Sequence, residues 1–196
     1  MKKKIYLCRH AETIWNIPEK QHLQGWSDSD LSEKGRNQTL LLKDFLLRSN
    51  ILKIYTSPLL RCIRTLKPFL ETRNVACETL DQLKEINYGL YDGLPSHEAR
   101  LKYRDFFTVY DNSQDPQSNT IQFPKGESRF DAAKRLLEVL KHIVTQDGTC
   151  FIMTHGGVLS SLFLLLFNKK REFNNCEVIE LWYDNLQKKF IIEGDK

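Results

Sequence analysis

The chain has 196 residues, a length that suits one large domain or two small ones. Hydrophobic residues make up 41% of it and charged residues 28%, which is ordinary for a soluble globular protein. The formal net charge of +4 and the pI near 8.7 suit anionic ligands, but they are too mild to indicate nucleic-acid binding.

Cysteine usage and the short apolar runs predict the compartment. The five cysteines are scattered and form no CxxC pair, so neither disulfides nor a zinc site are expected. The apolar run after the basic N-terminal residues is too short for a signal peptide. The apolar run 162–167 is too short to cross a bilayer. We therefore expect a cytoplasmic protein without a membrane partner, and the sequence does not predict its oligomeric state.

Strands and helices are expected to alternate in the first half of the chain. Short apolar runs bounded by polar residues predict strands, and amphipathic stretches between them predict helices. Ser32 is the expected cap of the first helix, and Ser57 with the following proline is expected to open the second. The predicted elements are strand 5–7, helix 32–48, strand 51–56, helix 57–70 and strand 75–80.

The second half begins with residues 84–126, which are rich in aromatic side chains and lack strand signals. One helix is expected there, over residues 96–110. The next helix is clearly amphipathic, with Phe130, Ala133, Leu137 and Leu140 on its predicted buried face. The predicted elements are helix 127–146, strand 150–154, helix 158–167 and a hairpin of strands 177–183 and 189–193.

This alternation predicts an α/β fold, a sandwich with helices on both sides of a mostly parallel central sheet. Ligands of such sheets bind at the carboxyl ends of the strands. Arg9 and His10 follow the first predicted strand, and His155 follows strand 150–154. A guanidinium can hold a phosphate while an imidazole attacks it, so two such histidines indicate a phosphoryl-transfer site.

Six motifs, in order along nearly the whole chain, carry a family resemblance. They lie at residues 7–16 (LCRHAETIWN), 24–35, 57–65 (SPLLRCIRT), 83–93, 124–128 (PKGES) and 154–157 (THGG). In them the chain resembles the histidine phosphatase superfamily, and within it the phosphatase branch of the phosphoglycerate-mutase-like proteins. The resemblance implies a three-layer α/β/α sandwich and a single domain over residues 1–196, in which residues 88–125 form a substrate-covering insertion.

The resemblance also implies catalytic roles. His10 would be the nucleophile and would form a phosphohistidine. Arg9, Arg61 and His155 would hold the phosphoryl group, since phosphoryl transfer depends on positioning and on neutralising the oxygen charges. Glu85 would protonate the leaving oxygen and then activate water. The implied substrate-binding residues are Arg9, Asn16, Gln24, Gly25, Arg61, Glu85, Tyr88 and Gly156.

The expected function is hydrolysis of a small phosphorylated metabolite, with neither a metal nor another cofactor. A phosphoglycerate mutase is the alternative enzyme. It is disfavoured by Ile86, which stands where mutases of this family carry an arginine. A non-catalytic phospho-ligand-binding protein is the remaining alternative, although His10, Glu85 and His155 are all present.

The sequence leaves the substrate open. The aromatic side chains of residues 88–125 could stack on a substrate ring or fill a small accessory core. Lys102, Arg104 and Lys125 could hold a second anionic group or could be solvated. Ala11 stands where the family usually has glycine, and its methyl group could crowd a phosphate or be accommodated.

Overall fold

The computed structural model describes residues 2–112 and 114–192 of the chain. In this part, six strands form one sheet in the order β3-β2-β4-β1-β5-β6. The strands are β1 (Lys2–Arg9), β2 (Lys53–Thr56), β3 (Ala76–Thr79), β4 (Cys150–Thr154), β5 (Val178–Asp184) and β6 (Lys189–Ile192). The helices are α1 (Glu33–Arg48), α2 (Leu60–Leu70), α3 (Ser96–Lys102), α4 (Arg104–Asp111), α5 (Arg129–Ile143) and α6 (Gly156–Phe167).

The sheet is mixed but mostly parallel. Strands β3, β2, β4 and β1 run parallel to one another, and the terminal hairpin β5-β6 pairs antiparallel with the free edge of β1. Helices α1 and α2 pack on one face, and α5 and α6 pack on the other. The predicted α/β class with a mostly parallel sheet is therefore confirmed.

Alternation along β1 builds the two halves of the core. Tyr6 and Cys8 belong to the cluster that contains α1 and α2 side chains, whereas Ile5 and Leu7 belong to the cluster that contains α5 and α6 side chains. Successive strand residues point to opposite faces, so a strand buried on both faces needs an apolar residue at each position. The unbroken apolar run 5–8 meets this requirement.

The register of β1 and β4 brings the two histidine motifs together. Arg9 pairs with Thr154, and the backbone N–H of His10 donates to the Thr154 carbonyl at 3.0 Å. The first residues beyond both strands are therefore neighbours at the same sheet edge. His155, which immediately follows β4, is also the N-cap of α6.

Three local predictions are wrong. The predicted helix 96–110 is two helices, α3 and α4, separated at Tyr103, where φ is −116° and ψ is 41°. Helix α2 begins at Leu60, so Ser57 lies before it and is not its cap. On α5 the ring of Phe130 is 37% exposed, and the buried face is that of Ala132, Ala133, Leu136, Val139, Leu140 and Ile143. The last residue of the predicted strand 189–193 lies outside the described residues.

The aromatic side chains of residues 88–125 pack on one another and extend the buried cluster that contains the α5 and α6 side chains. Phe123 is at their centre, with the rings of Tyr88, Phe106 and Tyr110 between 4.7 and 4.8 Å away. The backbone at Gly89 packs directly against the Pro124 carbonyl oxygen. Only glycine fits this position, because a Cβ would lie 2.1 Å from that oxygen and φ is +52°. That residues 88–125 cover the substrate within a single domain stays a prediction. None of the helices described here is long and apolar enough to cross a membrane.

Candidate active site

His10 is held in a single tautomer by a backbone carbonyl. Its ring is 3% exposed, and Nδ1 lies 2.8 Å from the Ala11 carbonyl oxygen. A carbonyl oxygen only accepts hydrogen bonds, so Nδ1 carries the proton and Nε2 keeps its lone pair. Ala11 itself is fully buried, and its N–H donates to Thr65 Oγ1 at 3.0 Å. The residue that replaces the usual glycine thus anchors the histidine through its backbone.

The surroundings of His10 favour its neutral form. Burial, together with the positive charges of Arg61 and Arg9, lowers the pKa of His10 well below its usual 6.5. Burial and the positive charge of Arg61 also lower the pKa of His155, whose ring centroid is 5.2 Å from that of His10. Both imidazoles are therefore uncharged at neutral pH, and Nε2 of His10 keeps its lone pair.

Arg61 is fully buried in the first turn of α2. Its Nε donates to His155 Nδ1 at 3.1 Å, and its Nη1 donates to Asp28 Oδ1 at 2.7 Å and to the Ser27 carbonyl at 3.0 Å. Its Nη2 donates to the Gly25 carbonyl at 2.6 Å. A guanidinium has five N–H donors, so these contacts leave one N–H on Nη2 for a ligand.

His155 is held between Arg61 and Ser57. Because Nδ1 accepts from Arg61, the neutral ring carries its proton on Nε2, which donates to Ser57 Oγ at 2.8 Å. Cys62 Sγ lies 3.5 Å from the same Nε2, and burial raises the pKa of that thiol, so it stays protonated. In this arrangement, His155 orients the Arg61 side chain. A direct bond from His155 to a phosphate requires release of Ser57.

Arg9 differs from Arg61, because most of its N–H donors have no partner among the described residues. Its Nη1 donates to the Phe173 carbonyl at 2.6 Å, while its buried Nε has no hydrogen-bond partner among the described residues. A buried, unpartnered N–H of a cation is costly unless an anion binds there. Gly156 lies against this group, and a Cβ on it would be 3.1 Å from Nε. Arg9 is therefore well suited to bind an anion.

The carboxylate of Glu85 caps helix α6. Its Oε1 accepts the N–H groups of Ile86 at 2.9 Å and Val158 at 2.8 Å, and its Oε2 accepts the N–H of Gly157 at 2.9 Å. Gly157 permits this approach, since a Cβ there would lie 2.7 Å from Oε1. Each carboxylate oxygen offers about two acceptor sites, so one acceptor site on Oε2 has no donor among the described residues. The described residues show no ion pair between Glu85 and either arginine.

Two further donors lie at the same sheet edge. Asn16 Oδ1 accepts the N–H of Thr13 at 3.0 Å, and its Nδ2 has no protein acceptor in the described part of the chain. Asn175 Nδ2 donates to the His10 carbonyl at 2.9 Å and lies 3.4 Å from Asn16 Oδ1. Gly156 is the first residue of α6, so its N–H has no acceptor within the helix. The Nδ2 group of Asn16 and the N–H of Gly156 are therefore both available to an anion.

The loop 24–28 is fixed on both sides. The Asp92 carboxylate accepts the N–H groups of Gly25, Trp26 and Ser27 at 2.8, 2.9 and 2.7 Å. The carbonyl groups of Gly25 and Ser27 face the other way and accept from Arg61. The loop therefore transmits the position of Asp92 to the Arg61 guanidinium.

Gln24 stabilises the same loop from its beginning. Its Oε1 accepts the Thr13 hydroxyl at 2.9 Å, and its Nε2 donates to Ser29 Oγ at 3.1 Å. The structure thus brings Arg9, His10, Arg61 and His155 together and places Glu85 at the start of α6. Gln24 and Gly25 make structural contacts around Arg61, and their direct contact with a substrate stays a prediction.

The model of the histidine phosphatase superfamily (branch 1) matches residues 5–191. The chain belongs to the histidine phosphatase superfamily. It is 30% identical over 165 residues to phosphoserine phosphatase 1 of Hydrogenobacter thermophilus, a match covering 83% of this chain and 75% of the relative. It is 27% identical over 196 residues to a 2,3-bisphosphoglycerate-dependent phosphoglycerate mutase of Porphyromonas gingivalis, covering 85% and 78%.

Solved structures agree with this assignment. Bacillus stearothermophilus YhfR superposes with a TM-score of 0.84 at 29% identity, covering 99% of this chain and 98% of that one. The family model and the phosphatase relatives make this histidine phosphatase an enzyme of the phosphatase class. The chemistry of the site is consistent with this class, since it places an uncharged imidazole beside cationic groups that can bind an anion.

A cleft of 420 Å³ opens beside the histidine phosphatase site. Ile86 and Gly157, whose N–H groups bind Glu85, form part of its wall, and Tyr88 lines it too. Lys102 and Arg104 lie elsewhere, in a separate depression. The cationic side chains that do line the cleft are Arg100, Arg129, Lys170 and Arg171. Sequence reasoning missed all four, because none lies in a recognised catalytic position of the motifs.

Proposed function

We propose that this histidine phosphatase hydrolyses a small phosphorylated metabolite through a phosphohistidine on His10, without a metal. The observation that carries the proposal is the hydrogen bond from His10 Nδ1 to the Ala11 carbonyl, which leaves the Nε2 lone pair free. The unpartnered Nε of Arg9 supplies a cation for the phosphate nearby. A small ligand is supported by the cleft volume of 420 Å³.

In the first step, the lone pair of His10 Nε2 attacks phosphorus, and the bond from phosphorus to the ester oxygen breaks. Arg9, the free N–H of Arg61, Asn16 Nδ2 and the Gly156 N–H stabilise the phosphoryl oxygens. In the second step, water attacks phosphorus and releases inorganic phosphate and neutral His10. His155 contributes by fixing the plane of Arg61, and direct donation from it to the phosphate stays a prediction.

Glu85 is proposed to move the proton in both steps. Its Oε2 would donate a proton to the departing oxygen and later accept one from the attacking water. The three backbone N–H groups that it accepts hold the carboxyl group in one orientation at the start of α6. This fixed geometry supports a positioned acid, because a proton donor must lie within hydrogen-bond reach of the leaving atom.

We predict that hydrolysis of p-nitrophenyl phosphate survives excess EDTA. The proposed cradle already neutralises the phosphoryl charge with Arg9 and Arg61, so a metal has no role to fill. In the described residues, no group of three or more His, Cys, Asp or Glu side chains is arranged to hold a metal ion. Release of nitrophenolate should match an EDTA-free control within about twofold, the scatter of such assays. Loss of turnover that magnesium or zinc restores would contradict the proposal.

A phosphoglycerate mutase is the second candidate, favoured by the Porphyromonas gingivalis relative. A mutase must retain its phosphorylated intermediate until the phosphoryl group is transferred back. Ile86 is 1% exposed and offers an apolar side chain beside Glu85 instead of a cation. We therefore propose hydrolysis rather than transfer.

We predict that 3-phosphoglycerate is converted to inorganic phosphate much faster than to 2-phosphoglycerate, even after priming with 2,3-bisphosphoglycerate. The physical reason is that no cation at position 86 retains the intermediate for the reverse transfer. Phosphorus NMR of one reaction measures both products at once. Interconversion that outpaces phosphate release would establish the mutase instead.

We also propose a cytoplasmic location and no nucleic-acid or membrane partner. The five cysteines, at positions 8, 62, 77, 150 and 176, are all free thiols, which supports a reducing compartment. The small net charge of +4 supports a small anionic ligand rather than nucleic acid.

A further inference from the structure

The cleft beside Glu85 has a net positive lining. Four of its side chains are cationic, Arg100, Arg129, Lys170 and Arg171, and two are anionic, Asp111 and Glu172. A leaving group whose oxygen is protonated by Glu85 would extend past Ile86 and Gly157 into this cleft. The charged side chains of the cleft would therefore contact the leaving group of the substrate.

Two of these arginines are already neutralised by carboxylates. Arg100 pairs with Asp111 inside the cleft. Arg171 pairs with Glu177 through Nη2 at 2.6 Å. Their charges are compensated in the protein, so they attract a further anion less strongly than an unpaired arginine would.

Arg129 is different, because it is ordered without being neutralised. Its Nη1 donates to the carbonyls of Tyr110 at 2.6 Å and Ser118 at 3.3 Å, and its guanidinium carbon lies 3.6 Å from the centre of the Tyr110 ring. Within residues 2–112 and 114–192, no carboxylate pairs with it. The N–H groups of Nε and Nη2 remain free, in a planar fork that matches a carboxylate or a phosphate.

No carboxylate offsets the positive charge of Arg129 within the described part of the chain. Ordering an arginine side chain loses rotamer entropy, and desolvating its charge is unfavourable unless an anion pairs with it. Two carbonyls and a ring fix the orientation of Arg129 but leave its charge unmatched. Such preorganisation is what favours tight binding of an anionic group.

We propose that Arg129 binds a second anionic group, a carboxylate or a second phosphate, on the leaving-group side of the substrate, and thereby selects the substrate class. This inference rests on the proposed phosphatase function of the same site. It narrows the substrate from any small phosphate ester to one whose alcohol portion is itself negatively charged.

The test compares three esters of the same chain length. They are 3-(phosphonooxy)propanoate, its uncharged amide 3-(phosphonooxy)propanamide, and propane-1,3-diyl bisphosphate. The amide keeps the shape of the carboxylate but not its charge. We expect kcat/KM to be at least about tenfold higher for one or both charged substrates than for the amide, as one charge-assisted hydrogen bond would give. The charged ester with the higher kcat/KM shows whether the cleft prefers a carboxylate or a second phosphate.

Variant R129Q should remove most of this preference, mainly by raising KM for the charged substrate, because Gln keeps amide donors but not the charge. The matched control is K134Q, which removes one positive charge from the exposed side of the same helix. K134Q should keep the preference, and the thermal midpoints of both variants report whether they fold. Variant R129K, which keeps the charge and loses the fork, should fall between wild type and R129Q.

The outcomes separate this inference from the phosphatase function itself. Equal kcat/KM for all three esters, or equal losses with R129Q on charged and uncharged esters, would overturn the role of Arg129 while leaving phosphatase activity intact. Absence of phosphate release from these esters and from p-nitrophenyl phosphate would overturn the proposed function, and this inference with it. A preference that R129Q removes and K134Q retains supports it.

Discussion

Replacing His10 with alanine should lower phosphatase kcat by about 10⁴-fold or more, the order of loss expected when a catalytic nucleophile is removed. The reason is that no other group near the site can replace its lone pair. His155 has both ring nitrogens occupied by Arg61 and Ser57, and burial raises the pKa of the nearby Cys62 thiol. Rapid quench after brief reaction with ³²P-labelled substrate should trap acid-labile, base-stable phosphate on His10.

The matched control for this experiment is His142→Ala, because His142 is an exposed histidine in the last turn of α5. That variant should trap as much label as the wild type. Circular dichroism and the thermal midpoint should show that the His10 variant is folded. Label on a serine, cysteine or aspartate, or full labelling of His10→Ala, would rule out the phosphohistidine mechanism.

Replacing Glu85 with glutamine should slow transfer from an alkyl phosphate by about 10²–10⁴-fold, the range of a general acid. Transfer from p-nitrophenyl phosphate should slow much less, since nitrophenolate leaves without a proton. Single-turnover measurements of phosphohistidine formation are needed, because slow hydrolysis of the intermediate would hide the difference at steady state. The diagnostic quantity is the ratio of the two losses.

Loss of activity in the Glu85 variant can also arise from a weakened cap on α6, and the ratio of the two losses distinguishes this cause from loss of the proton donor. Glu85 caps α6, and an amide NH₂ in the place of Oε2 would face the N–H of Gly157. Such a disturbance should slow both substrates alike. Glu127→Gln is the matched control, since Glu127 accepts the N–H of Asn87 at 2.8 Å and pairs with Arg135, which in turn donates to the Glu85 carbonyl. Equal losses on both substrates in the Glu85 variant would remove it from the acid role.

The parts of the site that follow strands were predictable from the sequence. Apolar runs end at Arg9 and at Thr154, and parallel strands place their carboxyl ends at one edge, so the proximity of His10 and His155 follows from pattern and topology. The roles inferred for Arg61 and Glu85 depended on the family motifs. No periodicity places a helix residue such as Arg61 against a histidine 94 positions away.

The wrong or missing predictions at Ser57 and Arg129 also come from contacts between residues far apart in the sequence. Ser57 before a proline fits a helix start, but its hydroxyl instead accepts from His155, a contact between residues 98 positions apart. Arg129 was not predicted because the carbonyls that orient it, on Tyr110 and Ser118, lie 19 and 11 positions away in the sequence. The prediction for Phe130 is wrong because the buried face of α5 includes Ala132, whose small side chain carries a weak hydrophobic signal.

The loop 24–28 also bears on how this enzyme can evolve. Asp92 holds its N–H groups and Arg61 holds its carbonyl groups, so the two side chains act on opposite edges of one piece of backbone. Loss of either would relax the same loop, and the second loss would then add less than the first. The two reversions should therefore show positive epistasis, because restoring either residue alone recovers less than its single loss. A lineage that has lost both would regain the arginine geometry only by a double reversion.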